Sequence, residues 1–172
     1  MRRFAIFALA LALTGAAACD DDSNGPSSTP IVFTVDLAAS NEVPPVSNAE
    51  SGATGRATIT FSVPIDGSGN PTDGGTWNVQ AIVTGFTADS RIQAAHIHNG
   101  PVGQNFPVFV NTGLTTANAI PVNVSGTINF EGVPISQAQA QAVIANPAGH
   151  YFNMHTPLNG GGAVRGQLVR LQ

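Results

Sequence analysis

Arg56-Ala57-Thr58-Ile59-Thr60-Phe61-Ser62-Val63 alternates apolar with hydroxylated side chains in steps of two. Side chains two apart on an extended chain leave the same face. Ala57, Ile59, Phe61 and Val63 therefore form an apolar row, and Thr58, Thr60 and Ser62 a polar one. The same period runs through Thr76 to Val83, where Trp77, Val79, Ala81 and Val83 alternate with Asn78 and Gln80. It recurs from Val122 to Phe130, where Val122, Val124, Ile128 and Phe130 alternate with Asn123, Ser125, Thr127 and Asn129. One buried and one polar face per strand is the mark of antiparallel sheets packed in layers. Ile31 to Ala39, Arg91 to His98, Phe106 to Val110, His150 to His155 and Ala163 to Leu171 bring the expectation to about eight strands. Residues 64–71, rich in Pro, Gly, Asp and Asn, predict a long hairpin loop. One helix interrupts this pattern. Ser136 is a suitable N-cap, Gln137 to Ala145 is built of strong helix formers, and Pro147 with Gly149 stops it. The fold class is all-β, an antiparallel β-sandwich with one short helix.

Composition narrows the setting. The chain has 172 residues, of which 42% are hydrophobic and 9% charged. An average soluble domain carries roughly 25% charged residues. There is no lysine, so Ser, Thr, Asn, Gln and Gly must make the polar surface. Net charge is −4, and loss of Arg2 and Arg3 with a leader leaves four arginines against ten acids, a balance of −6. An acidic domain has no electrostatic footprint for nucleic acid.

The leader is read from its own chemistry. Met1-Arg2-Arg3 is a short basic segment, and Phe4 to Leu13 is an apolar run. That run is too short to span a bilayer, which takes about 20 residues, and has the length of a signal-peptide core. Thr14 to Ala18 supplies small residues directly before Cys19, the only cysteine. This resembles a lipobox, with cleavage before a diacylated Cys19; ordinary signal-peptidase cleavage after Ala18 is the other reading. Residues 1–18 are thus the signal peptide. Residues 19–30, acidic and then rich in Ser and Pro, are a lipidated flexible tether. Residues 31–172 are the folded domain. The expected location is extracytoplasmic, periplasmic or cell-surface, with the membrane reached through the lipid.

Four stretches in order resemble the CHRD domain, named after chordin and widespread in bacterial secreted proteins. They are Asn41-Glu42-Val43-Pro44-Pro45-Val46, Ala95-His96-Ile97-His98-Asn99-Gly100, Tyr151-Phe152-Asn153-Met154-His155-Thr156, and Gly162-Ala163-Val164-Arg165-Gly166-Gln167-Leu168. Ala163 stands where the family usually has Glu, which removes a carboxylate beside Arg165. The resemblance implies an immunoglobulin-like or superoxide-dismutase-like β-sandwich. It implies no settled reaction.

The histidines are the candidate site. His96 and His98 lie two apart on an expected strand, with Cα atoms about 6.6 Å apart and side chains on one face. That spacing lets two imidazoles meet one ion through metal–nitrogen bonds of about 2.0 Å. His155 ends another strand. His150 is five positions away and faces the opposite side, so it should stay apart. Copper-zinc superoxide dismutase has a His-x-His strand followed by a late His, a Gly-rich stretch and an Arg. The analogy implies that His96, His98 and His155 bind Cu or Zn, with Arg165 nearby to attract an anion. The alternative is structural: His96 and His98 fix the turn at Asn99-Gly100-Pro101, and Arg165 binds backbone carbonyls.

Asp66, Ser68, Asn70 and Asp73 loosely resemble a calcium loop but are also ordinary hairpin residues. No nucleophile elbow, phosphate loop or singled-out carboxylate pair points to an enzyme. Two functions follow. The first is a non-enzymatic interaction or structural module of the cell envelope, with an unidentified protein or small-ligand partner. The second is a Cu- or Zn-binding protein, with a redox role as one form of it.

Overall fold

The computed structural model describes residues 30–171. The expected signal peptide, Cys19 and residues 19–29 of the expected tether lie outside the described residues.

β1 (Ile31–Ala38), β2 (Thr54–Ser62) and β3 (Gly75–Thr84) form an antiparallel meander. The period of two does what it predicted. Ala57, Ile59 and Phe61 of β2 are fully buried. The register sets Phe33 beside Ile59 and Ile59 beside Val79, so apolar rows run straight across the three strands. Next come β4 (Arg91–Ile92), β5 (Ala94–Asn99), β6 (Val108–Asn111), β7 (Ile120–Pro121) and β8 (Ser125–Ile135). The helix α1 (Gln137–Ala145) follows, then β9 (His150–His155), β10 (Val164–Gln167) and β11 (Val169–Arg170).

The main sheet has the order β6-β5-β9-β10-β1-β2-β3-β8, with β11 also paired to β1, and every pairing is antiparallel. The layers expected of a sandwich are therefore one continuous sheet folded over itself. Trp77 of β3 and Phe152 of β9 prove the fold-over. They are four strands apart in the order, which in a flat sheet is about 19 Å at about 4.8 Å per step. Their ring centroids lie 6.4 Å apart, edge to face. Phe33, Phe61 and Trp77 continue this contact through the core.

The helix closes what the strands leave open. Ser136 caps it reciprocally: the Gln139 amide donates to Ser136 Oγ, and the Ser136 amide donates to Gln139 Oε1 at 3.0 Å. Ala140 and Val143 are buried in the core. Gln139 Nε2 also donates to the Phe109 carbonyl on edge strand β6, at 2.6 Å. A helix that starts from one edge strand, β8, thus occupies an acceptor on the other, which blunts an open sheet edge.

Several sequence expectations need correction. Arg91 to His98 is not one strand: it breaks at Gln93, and β4 leaves the main sheet to pair with β7. Ala163 to Leu171 breaks at Leu168, whose amide donates to the His150 carbonyl. The third alternating stretch begins at Ser125 rather than Val122, and the Phe106 stretch at Val108. Asn123 adopts φ 46°, and this turn throws Val124 outward to 57% exposure while Val122 stays buried. Residues 42–46 form an irregular loop. Pro44 and Pro45 have no amide hydrogen to give to a ladder.

Candidate functional site

β5 and β9 place the site by parity. Their register sets Ala94 opposite His155, His96 opposite Asn153 and His98 opposite Tyr151. β10 adds Arg165 opposite Asn153. Ala95, Ile97, Phe152 and Met154 take the inner face and are fully buried. His96, His98, Tyr151, Asn153, His155 and Arg165 therefore share the outer face. His150 falls on the inner face, as its odd spacing requires. Its Nδ1 donates to the Asn146 carbonyl at 2.9 Å, and its ring packs on Phe109.

This outer face is covered. Tyr151, Asn153 and Arg165 are each about 98% buried, and the loops that bury them are 39–53 and 100–107. Arg165 latches both. Its Nε donates to the Asn41 carbonyl at 2.7 Å, and its Nη1 to the Gln104 carbonyl and Asn105 Oδ1. Asn105 in turn donates to the Val43 carbonyl at 2.6 Å. The guanidinium lies 4.5 Å above the Tyr151 ring, whose other face stacks on His98 at 4.6 Å. Of the two roles open to Arg165, this geometry fits the binding of loop carbonyls. A cleft of about 410 Å³ opens between the loops, lined by Asn41, Glu42, Val43, Val102 and Arg165 among others.

The three expected histidines come together. One nitrogen from each of His96, His98 and His155 lies within 4.8 Å of the others. His96 Nδ1 is 3.2 Å from His155 Nε2. His98 Nδ1 donates to the Phe106 carbonyl at 2.7 Å, and His155 Nδ1 donates to the Gly160 carbonyl at 3.0 Å. Each carbonyl fixes the tautomer, so the Nε2 of both rings turns inward as a lone pair. Holding the far nitrogen this way is how proteins orient metal-binding imidazoles. Burial drives the His96 pKa from 6.5 down to about 4, with His155 and then His98 adding repulsion. Burial likewise lowers His155, against the Gly160 carbonyl. Neutral rings are ligands; imidazolium is not.

Sequence reasoning missed Asn153 as a member of the site. Asn153 stands among the rings, with Oδ1 3.0 Å from His98 Nε2 and 3.1 Å from His155 Nε2. It lies two positions before His155, so the same parity that grouped the histidines would have found it. Glu42 is 4% exposed and lies near the Asn153 side chain and Arg165. Burial raises its pKa from 4.5 to about 7, against the pull of Arg165 and Asn153. Its carboxylate occupies the space a Cβ at Gly162 would need, and Gly162 has φ 141°. Glu42 is thus the carboxylate beside Arg165 in a chain that lacks one at 163.

Two other features are structural. Glu50 is fully buried and accepts hydrogen bonds from Ser90 Oγ, Thr156 Oγ1 and Asn159 Nδ2, which ties three loops together. Asp66 spends its carboxylate on Ser68 and Asn70 within its own hairpin, so it behaves as a turn residue.

A folded-over antiparallel sheet with a histidine cluster on its outer face under two loops defines the class: an all-β module. The chain matches the family model described as the CHRD domain over residues 33–168 and belongs to that family. No curated protein and no solved structure matches it. Among the described residues, no helix is long and apolar enough to cross a membrane.

Proposed function

We propose that this chain is an exported, lipid-anchored CHRD-domain module of the cell envelope, and that it binds one Cu or Zn ion through His96, His98 and His155. The observation that carries the metal reading is the inward turn of three imidazole nitrogens within 4.8 Å, two of them oriented by carbonyls behind their rings. The fit is close. Bonds of about 2.0 Å in a tetrahedron separate neighbouring ligand atoms by about 3.3 Å. His96 and His155 already stand 3.2 Å apart, and no pair of the three ligand nitrogens is more than 4.8 Å apart. Imidazole suits both Cu and Zn. An ion held there would cross-link β5 and β9 and would serve the module without requiring it to be an enzyme. The basic start, the apolar run and Cys19 support export and lipidation, and they put the domain where CHRD domains usually act, outside the cytoplasm.

Titration of the purified protein with Zn(II) or Cu(II) tests the metal reading. We expect stoichiometric binding that is lost in His98→Ala. No binding down to tens of micromolar would leave the interaction module alone, with the histidines as buried structural groups. Cys19→Ser tests the anchor: the variant is expected in the soluble fraction, and an unchanged membrane fraction would refute lipidation there.

A further inference from the structure

We infer that Asn153 is a fourth ligand of this site, presenting its side-chain carbonyl oxygen to the ion that the three histidines bind. The inference rests on the metal reading above and adds to it a residue, a donor type and a class of ion.

The argument is one of donors and acceptors. His98 and His155 each give the proton on Nδ1 to a backbone carbonyl, so in the neutral form of either ring Nε2 is an acceptor. Asn153 Oδ1 faces both of these nitrogens, at 3.0 and 3.1 Å. A carbonyl oxygen is also only an acceptor. Three lone-pair atoms therefore converge with no proton of their own to share. A cation resolves such a convergence. The spacings agree with this, because ligand atoms around a four-coordinate ion with bonds of about 2.0 Å sit about 3.3 Å apart.

The surroundings hold the amide in that orientation. Asn153 is 2% exposed, in the middle of β9, with backbone pairing to His96 on one side and Arg165 on the other. Its amide end meets Glu42. In its ionised form Glu42 accepts an N–H and repels a carbonyl, and so selects the orientation with Oδ1 toward the rings. The Glu42 carboxylate is in turn seated by Gly162, and Arg165 lies beside it. Three nitrogens and one amide oxygen make a donor set for a divalent ion, Zn(II) or Cu(II), in preference to Cu(I), which favours sulfur.

Competition titrations with Zn(II), and visible absorption of bound Co(II), test this on the purified protein and on Asn153→Ala and Asn153→Asp. For a ligand, Asn153→Ala weakens Zn(II) binding roughly tenfold or more and changes the Co(II) spectrum, whereas Asn153→Asp, which keeps the oxygen, binds at least as tightly as the parent. Should the Ala variant bind as well as the parent or better, with the same Co(II) spectrum, Asn153 merely competes with the ion and the inference is overturned. Where the Ala variant does not fold, the Asp variant decides, and weaker binding than the parent overturns the inference. Absence of binding by the parent protein itself would refute the metal site as a whole, an outcome distinct from failure of the variants alone.

Discussion

Burial and charge act on Glu42 in opposite directions, and burial wins: its pKa is raised from 4.5 to about 7 despite Arg165 beside it. An acid with a raised native pKa holds its proton more tightly folded than unfolded. Its stabilising contribution is therefore complete below pH 4.5 and is lost as pH rises through about 7. His96 runs the other way. Its pKa is depressed from 6.5 to about 4, so its contribution is complete above pH 6.5 and is lost as pH falls toward 4. The two groups thus weaken the fold at opposite ends of the same range. Gln at position 42 mimics the protonated acid and does not titrate. Urea midpoints of Glu42→Gln are expected to gain steadily on the parent as pH climbs from 4.5 past 7. A difference that stays constant over that range would show that Glu42 does not titrate there.

Helix α1 joins local and long-range structure through one side chain. Gln139 closes the capping box with Ser136 and also reaches the Phe109 carbonyl on β6. Ser136→Ala removes the cap and is expected to cost about 1 kcal/mol. Gln139→Ala should cost more, because the edge of β6 is released along with the helix start. Native-state hydrogen exchange separates the two: faster exchange at Val108–Asn111 is expected in Gln139→Ala and not in Ser136→Ala. Equal exchange in both variants would mean that the helix does not guard that edge.

The whole domain hangs on contacts that cross the folded sheet. Phe33, Phe61, Trp77 and Phe152 form a chain of edge-to-face rings through a single core. Phe61 is fully buried in the middle of that chain, so Phe61→Ala should destabilise the domain by about 3–5 kcal/mol. Trp77, the only tryptophan, reports the loss: its emission, blue-shifted by complete burial, should move to the red in one transition that coincides with the far-ultraviolet signal. Two separated transitions would show that the halves of the sheet unfold independently.

Ser136 and a run of helix formers marked the helix, and alternation by itself determined the β class, most strand positions and the sorting of His96, His98 and His155 away from His150. It could do so because a period of two is a local property of an extended chain, legible wherever apolar and polar residues take turns. The resemblance to the family was legible separately, because its motifs are short and contiguous. Tertiary structure alone decided that the sheet is continuous, that β4 swings out to β7, and that β5 and β9 are neighbours. Those facts depend on pairings between residues about thirty positions apart for β4 with β7 and more than fifty for β5 with β9, which no local pattern encodes. The same holds for Glu42, brought from a proline-rich loop to Asn153 and Arg165. Its proton affinity is set by the burial that the folded loops impose, not by its place in the chain.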